Sequence, residues 1–204
     1  MMEMLEKTAV ALERRHFKAA VFKTAQEAAA FILSDMPDGA SVAFGGSATC
    51  QQMWLAQLLR ENCHEVLWHW EAAPVERPAL LHRAMNAQVY ICSANALTQD
   101  GLLVQIDGNG NRVAAMCYGP STVYVVVGRN KLVSGGYAQA VKRIKEVSCP
   151  LNARRFQLHN PCAETGRCNP AECEKPMCHV IASFERAPNG KRTQVILINE
   201  SLGY

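Results

Sequence analysis

The chain has 204 residues, of which 49% are apolar and 19% charged; this excludes a disordered polypeptide and suffices for a sizeable core. The 21 Lys and Arg residues against 18 Asp and Glu residues leave a formal net charge of +3, and without a basic block this excludes a nucleic-acid binder that neutralises many phosphates. No apolar run reaches the ~18 residues of a membrane span. We therefore expect neither nucleic acid nor a membrane as a partner. The length indicates one domain over residues 1–204.

The first residues and the cysteine usage predict a cytoplasmic protein. Met1–Lys7 contains no charged region followed by a long apolar stretch, so we find no secretory signal. The nine cysteines are therefore expected to be thiols or metal ligands rather than a disulfide framework.

Helical and strand patterns alternate through the first half of the chain. Apolar residues recur at helical spacing from the start, and Thr24-Ala-Gln-Glu27 is a capping box that begins an alanine-rich helix. Helices are predicted at 3–17, 24–35, 48–61 and 78–86, and strands at 19–22, 41–44, 65–70 and 88–92. Strands that alternate with helices in this way indicate a parallel sheet covered on both faces.

The second half adds one strongly apolar strand and two predicted hairpins. Thr122–Val127 is the most apolar strand, and we expect it at the centre of the sheet. A helix is expected over 136–146. Glycine- and asparagine-containing turns predict two hairpins, which pair strands 102–106 with 112–116 and strands 180–186 with 194–198. The predicted fold class is α/β, with a mostly parallel sheet flanked by helices and with β-hairpins.

A glycine-rich loop follows the second predicted strand. Gly45-Gly46-Ser47 stands between a strand and a helix, where glycines let a ligand approach the backbone and where helix N–H groups attract an anion. The same residues also fit a tight turn in which Ser47 only caps the helix. We therefore consider Gly45, Gly46 and Ser47 as candidate binding residues for a phosphate or carboxylate.

The segment Asp107-Gly-Asn-Gly-Asn-Arg112 brings several polar groups together. Asp107 is a candidate catalytic general base, Asn109 a candidate ligand-binding amide, and Arg112 a candidate clamp for a carboxylate or phosphate. A long hairpin turn in which Asn and Asp satisfy their own backbone explains the same residues. A calcium loop is excluded because no Glu follows at the required distance.

Two further strands end in polar residues. Asn95 follows the strand at 88–92, and Arg129-Asn130-Lys131 follows the most apolar strand. Ligands of open parallel sheets bind outside the carboxyl ends of the strands, so Asn95, Arg129, Asn130 and Lys131 are candidate binding residues for a small anion. The alternative is that these loops simply face water.

Four cysteines cluster near the end of the chain, at Cys162, Cys168, Cys173 and Cys178. Four thiolates suit zinc or an iron–sulfur cluster, although the spacing matches neither zinc ribbons nor bacterial ferredoxins. Adventitious disulfides and a ligand role for His179 are the alternatives. The cysteines on predicted helices and strands are expected in the core: Cys50, Cys63, Cys92 and Cys117.

Several segments resemble the LUD (lactate-utilisation) domain family, and they occur in the same order. The resemblance rests on Ser41–Ser47, Ser93–Gly101, Asp107–Arg112, Tyr118–Pro120, Val125–Lys131, Ala140–Ile144, Asn152-Ala153, Pro161-Cys162 and Asn199–Tyr204. It implies the fold shared by CoA transferases, ribose-5-phosphate isomerase and glucosamine-6-phosphate deaminase.

The resemblance also implies a class of function. Some family members belong to bacterial systems that oxidise L-lactate to pyruvate beside iron–sulfur subunits. The resemblance therefore implies a small anionic substrate of the carboxylate class and iron–sulfur electron-transfer subunits as partners. A homodimer is left open. Two alternatives remain, a sugar-phosphate isomerase or CoA-transferase-like enzyme, and a non-catalytic binding or regulatory subunit stapled by a metal.

Overall fold

The computed structural model describes the whole chain, residues 1–204. The strands are β1 (Lys18–Phe22), β2 (Ser41–Phe44), β3 (Glu65–Trp68), β4 (Val89–Ser93), β5 (Ala96–Thr98), β6 (Leu103–Asp107), β7 (Thr122–Gly128), β8 (Leu132–Val133), β9 (Val180–Phe184) and β10 (Arg192–Ile198). The α-helices are α1 (Met2–Arg14), α2 (Ala25–Asp35), α3 (Ala48–Gln52), α4 (Leu55–Glu61), α5 (Arg77–Ala84), α6 (Asn111–Cys117), α7 (Tyr137–Arg143), α8 (Cys149–Arg155) and α9 (Pro161–Thr165).

Six strands form a fully parallel main sheet in the order β1-β10-β7-β4-β2-β3. The central strand β7 is buried on both faces, because Val123, Val125 and Val127 pack into one apolar cluster while Tyr124 and Val126 pack into the other. The predicted α/β class with a mostly parallel sheet is therefore confirmed, as is the central place of β7.

A smaller sheet of four strands has the order β8-β5-β6-β9. β5 and β6 form a tight antiparallel hairpin, in which Ala96 pairs with Val104. Strand β9 pairs antiparallel with β6, and Asp107, the last residue of β6, pairs with Val180. The end of β6 thus lies beside the start of β9.

The first predicted hairpin is wrong, because residues 112–116 belong to helix α6. The carboxylate Oδ2 of Asp107 accepts hydrogen bonds from the backbone N–H groups of Arg112 and Val113, both at 3.1 Å. These bonds satisfy donors that the first turn of a helix leaves free. Gly110 reverses the chain just before the helix with φ of 77°, so the turn begins a helix rather than a second strand.

The predicted terminal hairpin is also wrong. β9 joins the smaller sheet, whereas β10 inserts into the main sheet between β1 and β7. The reason is burial: six of the seven residues of β10 are buried, which suits a strand with parallel neighbours on both sides.

Two further expectations need correction. The predicted helix over 48–61 is interrupted at Trp54, which adopts φ of 53° between α3 and α4. Cys63 and Cys117 are exposed, while Cys50 and Cys92 are buried as expected. Cys63 lies in the turn that ends α4 and Cys117 at the last residue of α6, so both leave the core.

None of the helices combines the length and the apolar character that crossing a lipid bilayer requires.

Candidate functional site

A cleft of about 450 Å³ opens beyond the ends of β2 and β4. Eight of the candidate residues from the sequence line it: Gly46, Ser47, Asn95, Asp107, Asn109, Arg112, Lys131 and Cys178. Asp107 is the only acidic lining residue, whereas Lys131, Arg112 and Arg155 are basic. The cleft is therefore arranged for an anion rather than for a cation.

Lys131 is 3% exposed and has no carboxylate partner. Its Nζ donates to Thr49 Oγ1 and Ser93 Oγ, both at 2.7 Å. Each of these hydroxyls donates onward to a backbone carbonyl, so the ammonium has two neutral acceptors and no counter-charge. Burial lowers the pKa of Lys131 from 10.5 to about 7, because the charged form is poorly solvated there.

Arg112 lies next to Asn95 and Asp107 on the wall of the cleft. Its Nη2 donates to Asn95 Oδ1 at 2.9 Å and to the Ile106 carbonyl at 2.8 Å. Its buried Nε has no acceptor, since Asp107 Oδ2 stands 4.0 Å away. The guanidinium is thus fixed at one end and retains donor capacity for a ligand.

One carboxylate oxygen of Asp107 accepts hydrogen bonds from the protein, and the other accepts none. Oδ2 accepts the two backbone hydrogen bonds that begin α6, while Oδ1 accepts no hydrogen bond from the protein. The side chain is 11% exposed. Asp107 therefore has both a structural role and an oxygen available for proton transfer.

The glycine-rich loop is shaped by two aromatic side chains. A Cβ on Gly46 would lie 2.8 Å from Nε1 of Trp70, and a Cβ on Gly45 would lie 3.0 Å from the Tyr90 hydroxyl. Ser47 accepts a hydrogen bond from the Cys50 N–H at 3.1 Å. Packing and capping thus account for this loop, although Gly46 and Ser47 also line the cleft.

We expect Gly46→Ala to lower the free energy of unfolding by about 1–3 kcal/mol, because the added methyl would overlap the Trp70 indole. Trp70 cannot move freely, since it stacks on Trp68 with ring centroids 5.6 Å apart. Urea denaturation measures the loss. Gly136→Ala is the matched control, because nothing lies within 4 Å of a Cβ there; an equal effect of both substitutions would contradict the steric explanation.

Two of the candidate binding residues that follow strand β7 lie outside the cleft. Asn130 binds the C-terminal backbone: its Oδ1 accepts from the Leu202 N–H at 3.0 Å and its Nδ2 donates to the Gly203 carbonyl at 3.2 Å. Arg129 is exposed and reaches Asn199 Oδ1 at 3.4 Å. Of the segment 129–131, only Lys131 faces the cleft.

Sequence reasoning missed an aromatic and cationic wall of the cleft. The Arg155 guanidinium lies 4.3 Å from the centroid of the Trp70 ring and 4.0 Å from that of Phe156, which favours cation–π attraction. His69 also lines the cleft, and burial lowers its pKa, with Arg77 adding to the shift. His69 and Trp70 directly follow β3, so their position at a strand end is a signal that could have identified them.

A pair of thiols forms another part of the lining. The Sγ atoms of Cys149 and Cys178 are 3.2 Å apart, and both residues line the cleft. The hydrogen bond from Cys149 lowers the pKa of Cys178, and the neighbouring Lys145 acts in the same direction. Cys149 was not among the predicted site residues. It lies on α8, which is distant from Cys178 in the sequence and comes close to it only in the folded chain.

Comparison with known proteins identifies the family. The LUD domain model matches residues 5–198, and the chain belongs to the LUD domain family. A solved structure of a DUF162 family protein from Deinococcus radiodurans aligns over 96% of both chains, with a TM-score of 0.55 and 15% identity. A D-ribose-5-phosphate isomerase in complex with phospho-erythronic acid aligns over 53% of each chain, with a TM-score of 0.35 and 19% identity. A search of curated proteins finds no match. The family predicted from the sequence motifs is confirmed.

Proposed function

We propose that the cleft binds a small carboxylate of the 2-hydroxy or 2-oxo acid class, and that the chain takes part in the oxidation of lactate to pyruvate with iron–sulfur partner subunits. The observation that carries the proposal is Lys131, a buried amine without a counter-charge on the wall of a cleft. Family membership supports a lactate-utilisation-type role.

Lys131 supports an anionic ligand on energetic grounds. A buried ammonium without an anion costs several kcal/mol of solvation free energy. Two of its N–H groups reach neutral hydroxyls, which leaves the third for a ligand oxygen. A bound carboxylate would compensate the charge that the fold leaves uncompensated.

Arg112 and Asp107 supply the remaining groups that such a ligand needs. Arg112 has unused donors beside Asn95, which suit a carboxylate. Oxidation of lactate to pyruvate releases two protons and two electrons. The free Oδ1 of Asp107 is an acceptor for the hydroxyl proton. The second proton, from C2, would pass to solvent, and the two electrons would pass to the iron–sulfur partner.

One alternative uses the same residues. A sugar-phosphate isomerase requires a carboxylate base and a cation, and Asp107 with Lys131 would meet that need. A CoA-transferase mechanism with a Glu nucleophile finds no support, because no Glu lines the cleft. A non-catalytic subunit would bind the acid without turnover.

Calorimetric titration distinguishes these possibilities. Wild-type protein is titrated with L-lactate, pyruvate, ribose 5-phosphate and inorganic phosphate in a phosphate-free buffer. The proposal predicts that lactate or pyruvate binds more tightly than inorganic phosphate and competes with it for one site. Tighter binding of ribose 5-phosphate would favour the isomerase, and failure of every anion to bind would refute an anion site.

Binding should also depend on pH in a direction set by Lys131. Its pKa is about 7 in the free protein, and an adjacent carboxylate raises that pKa. Binding above pH 7 therefore takes up a proton, and affinity falls by about tenfold per pH unit once the free amine is neutral. The ligand acids stay ionised throughout.

Titrations at pH 8 in buffers of different ionisation enthalpy measure this proton uptake. His69→Gln and His179→Gln serve as controls, because these two imidazoles also line the cleft. The proton uptake on binding should persist in both variants. The same affinity from pH 6 to 9 in the wild type would contradict the role of Lys131.

A further inference from the structure

The thiols of Cys149 and Cys178 lie next to each other, where α8 begins and where the chain approaches β9. Their Sγ atoms are 3.2 Å apart, although the two residues are 29 positions apart in the sequence. Both residues line the cleft. A small molecule that enters the cleft therefore has access to a pair of adjacent thiols.

Packing and backbone hydrogen bonds fix the positions of both thiols. Cys149 is 8% exposed and belongs to a small apolar cluster, and Cys178 packs against the same cluster. The next residue, His179, donates its backbone N–H to the Asp107 carbonyl at 3.0 Å, and Val180 pairs with Asp107 at the start of β9. The contact between the two sulfurs is therefore a consequence of the fold around them.

The neighbouring cysteines do not extend this pair into a metal site. No three His, Cys, Asp or Glu side chains stand near enough to share one ion. The four cysteines that the sequence suggests as ligands therefore do not fit a metal centre as they are placed in this structure: Cys162, Cys168, Cys173 and Cys178. The close contact joins only two sulfurs, and one of them belongs to Cys149, outside that set. This geometry favours the chemistry of a dithiol.

We propose that Cys149 and Cys178 are a redox-active dithiol, which reacts with a small disulfide in the cleft and becomes an intramolecular disulfide. The thiolate of Cys178 attacks one sulfur of the small disulfide, forms a mixed disulfide and releases the other half as a thiolate. The sulfur of Cys149, after losing its proton, attacks Cys178 and releases the second half. The two protein thiols lose two electrons and two protons, and the small disulfide takes them up to become two thiols.

The two sulfurs have different roles in this exchange. Cys178 is partly exposed whereas Cys149 is buried, so an incoming disulfide meets Cys178 first. The hydrogen bond from Cys149 lowers the pKa of Cys178, and the neighbouring Lys145 acts in the same direction, so Cys178 is the thiolate of the pair.

Little movement separates the two thiols from a disulfide. The S–S bond is about 2.05 Å long, so the sulfurs must approach each other by about 1.2 Å. Residues 173–179 contain no helix or strand, so rotation of the side chains and adjustment of this short stretch of backbone allow the approach without loss of regular structure.

The charge of the cleft indicates which small disulfides suit the site. The lining contains the basic residues Lys131, Arg112 and Arg155, which favour a disulfide that carries carboxylates. Oxidised glutathione is such a compound and is the probe for the test. This inference stands apart from the proposed function, because the state of the thiols is measured without any hydroxy or oxo acid.

The test is incubation of the reduced full chain with millimolar oxidised and reduced glutathione in the absence of oxygen, followed by alkylation and peptide mass spectrometry. Digestion with trypsin and a Glu-specific protease puts the five cysteines of residues 149–178 on separate peptides. Exposed Cys63 and Cys117 are internal reference thiols. At a glutathione ratio that modifies less than a tenth of these reference thiols, we expect the Cys149–Cys178 disulfide in more than half of the chains, because the second step is intramolecular. A smaller share would overturn the proposal.

Variants test the separate roles of the two sulfurs, while the wild-type result does not depend on how well a variant folds. In Cys149→Ser, glutathione should remain on Cys178 as a mixed disulfide, because the thiol that displaces it is missing. In Cys178→Ser, Cys149 should stay reduced. Cys162→Ser is the matched control and should form the disulfide to the same extent as the wild type. A wild-type chain in which Cys178 pairs mainly with Cys162, Cys168 or Cys173, or keeps glutathione while Cys149 stays free, would contradict the proposal.

Discussion

Lys131→Met is expected to stabilise the protein at pH 7 and to abolish binding of small carboxylates. The shift of the Lys131 pKa from 10.5 to about 7 corresponds to a cost of roughly 5 kcal/mol at or below pH 7. Loss of the hydrogen bonds to Thr49 and Ser93 offsets about 1–3 kcal/mol of the gain. We therefore expect a net increase of about 2–4 kcal/mol in the free energy of unfolding.

The pH dependence of this effect has a definite sign. Between about pH 7 and 10.5 the unfolded chain binds a proton at Lys131 that the folded chain does not, so wild-type stability rises with pH. The advantage of Lys131→Met should shrink over the same interval. Urea denaturation at pH 7 and pH 9.5 measures it, with exposed Lys142→Met as the control. A variant that is less stable than the wild type at both pH values would contradict the account.

Arg112→Met is expected to weaken carboxylate binding at least tenfold. A charge-assisted hydrogen bond to a carboxylate contributes roughly 1.5–3 kcal/mol, and the Arg112 guanidinium uses only Nη2 for side-chain hydrogen bonds within the protein, which leaves Nη1 to donate to a ligand. Met retains much of the aliphatic stem while removing the donors. Stability should also fall, because Asn95 Oδ1 and the Ile106 carbonyl lose a partner.

Arg129→Met is the matched control for this experiment. Arg129 was a candidate binding residue from the sequence, but it is exposed and lies outside the cleft. Calorimetric titration with pyruvate or lactate should show nearly wild-type affinity in Arg129→Met. If both variants lost affinity equally, the effect would be one of general charge and not of a positioned guanidinium.

The sequence predicts the main sheet because its signals are local. Apolar strands, a capping box at Thr24 and alternating helices define parallel connections before any contact is known. Residues 112–116 fit a strand or a helix equally well by pattern. The choice is made by Asp107, which accepts the first helical N–H groups, and that interaction cannot be read from hydrophobic periodicity.

The site is predictable only in part, for a similar reason. Position at a strand end identified Lys131, since parallel strands bring their carboxyl ends to one edge, whereas Arg112 was identified from the polar composition of the segment Asp107–Arg112. Position at a strand end could not distinguish Lys131 from Arg129. Both residues lie in one 3-10 turn, Arg129–Lys131, which places their side chains in different surroundings. Arg155 and Cys149 lie on α8, and they reach the cleft only because that helix packs beside it.

The most direct test of the carboxylate site is a crystal structure of the protein grown with pyruvate or L-lactate. The account predicts the ligand carboxylate in the cleft, with oxygens within hydrogen-bonding distance of Lys131 Nζ and of the Arg112 guanidinium. In a lactate complex, the hydroxyl should point towards Asp107 Oδ1. A ligand bound elsewhere with the cleft filled only by water, at a concentration that saturates the protein in solution, would contradict the central claim.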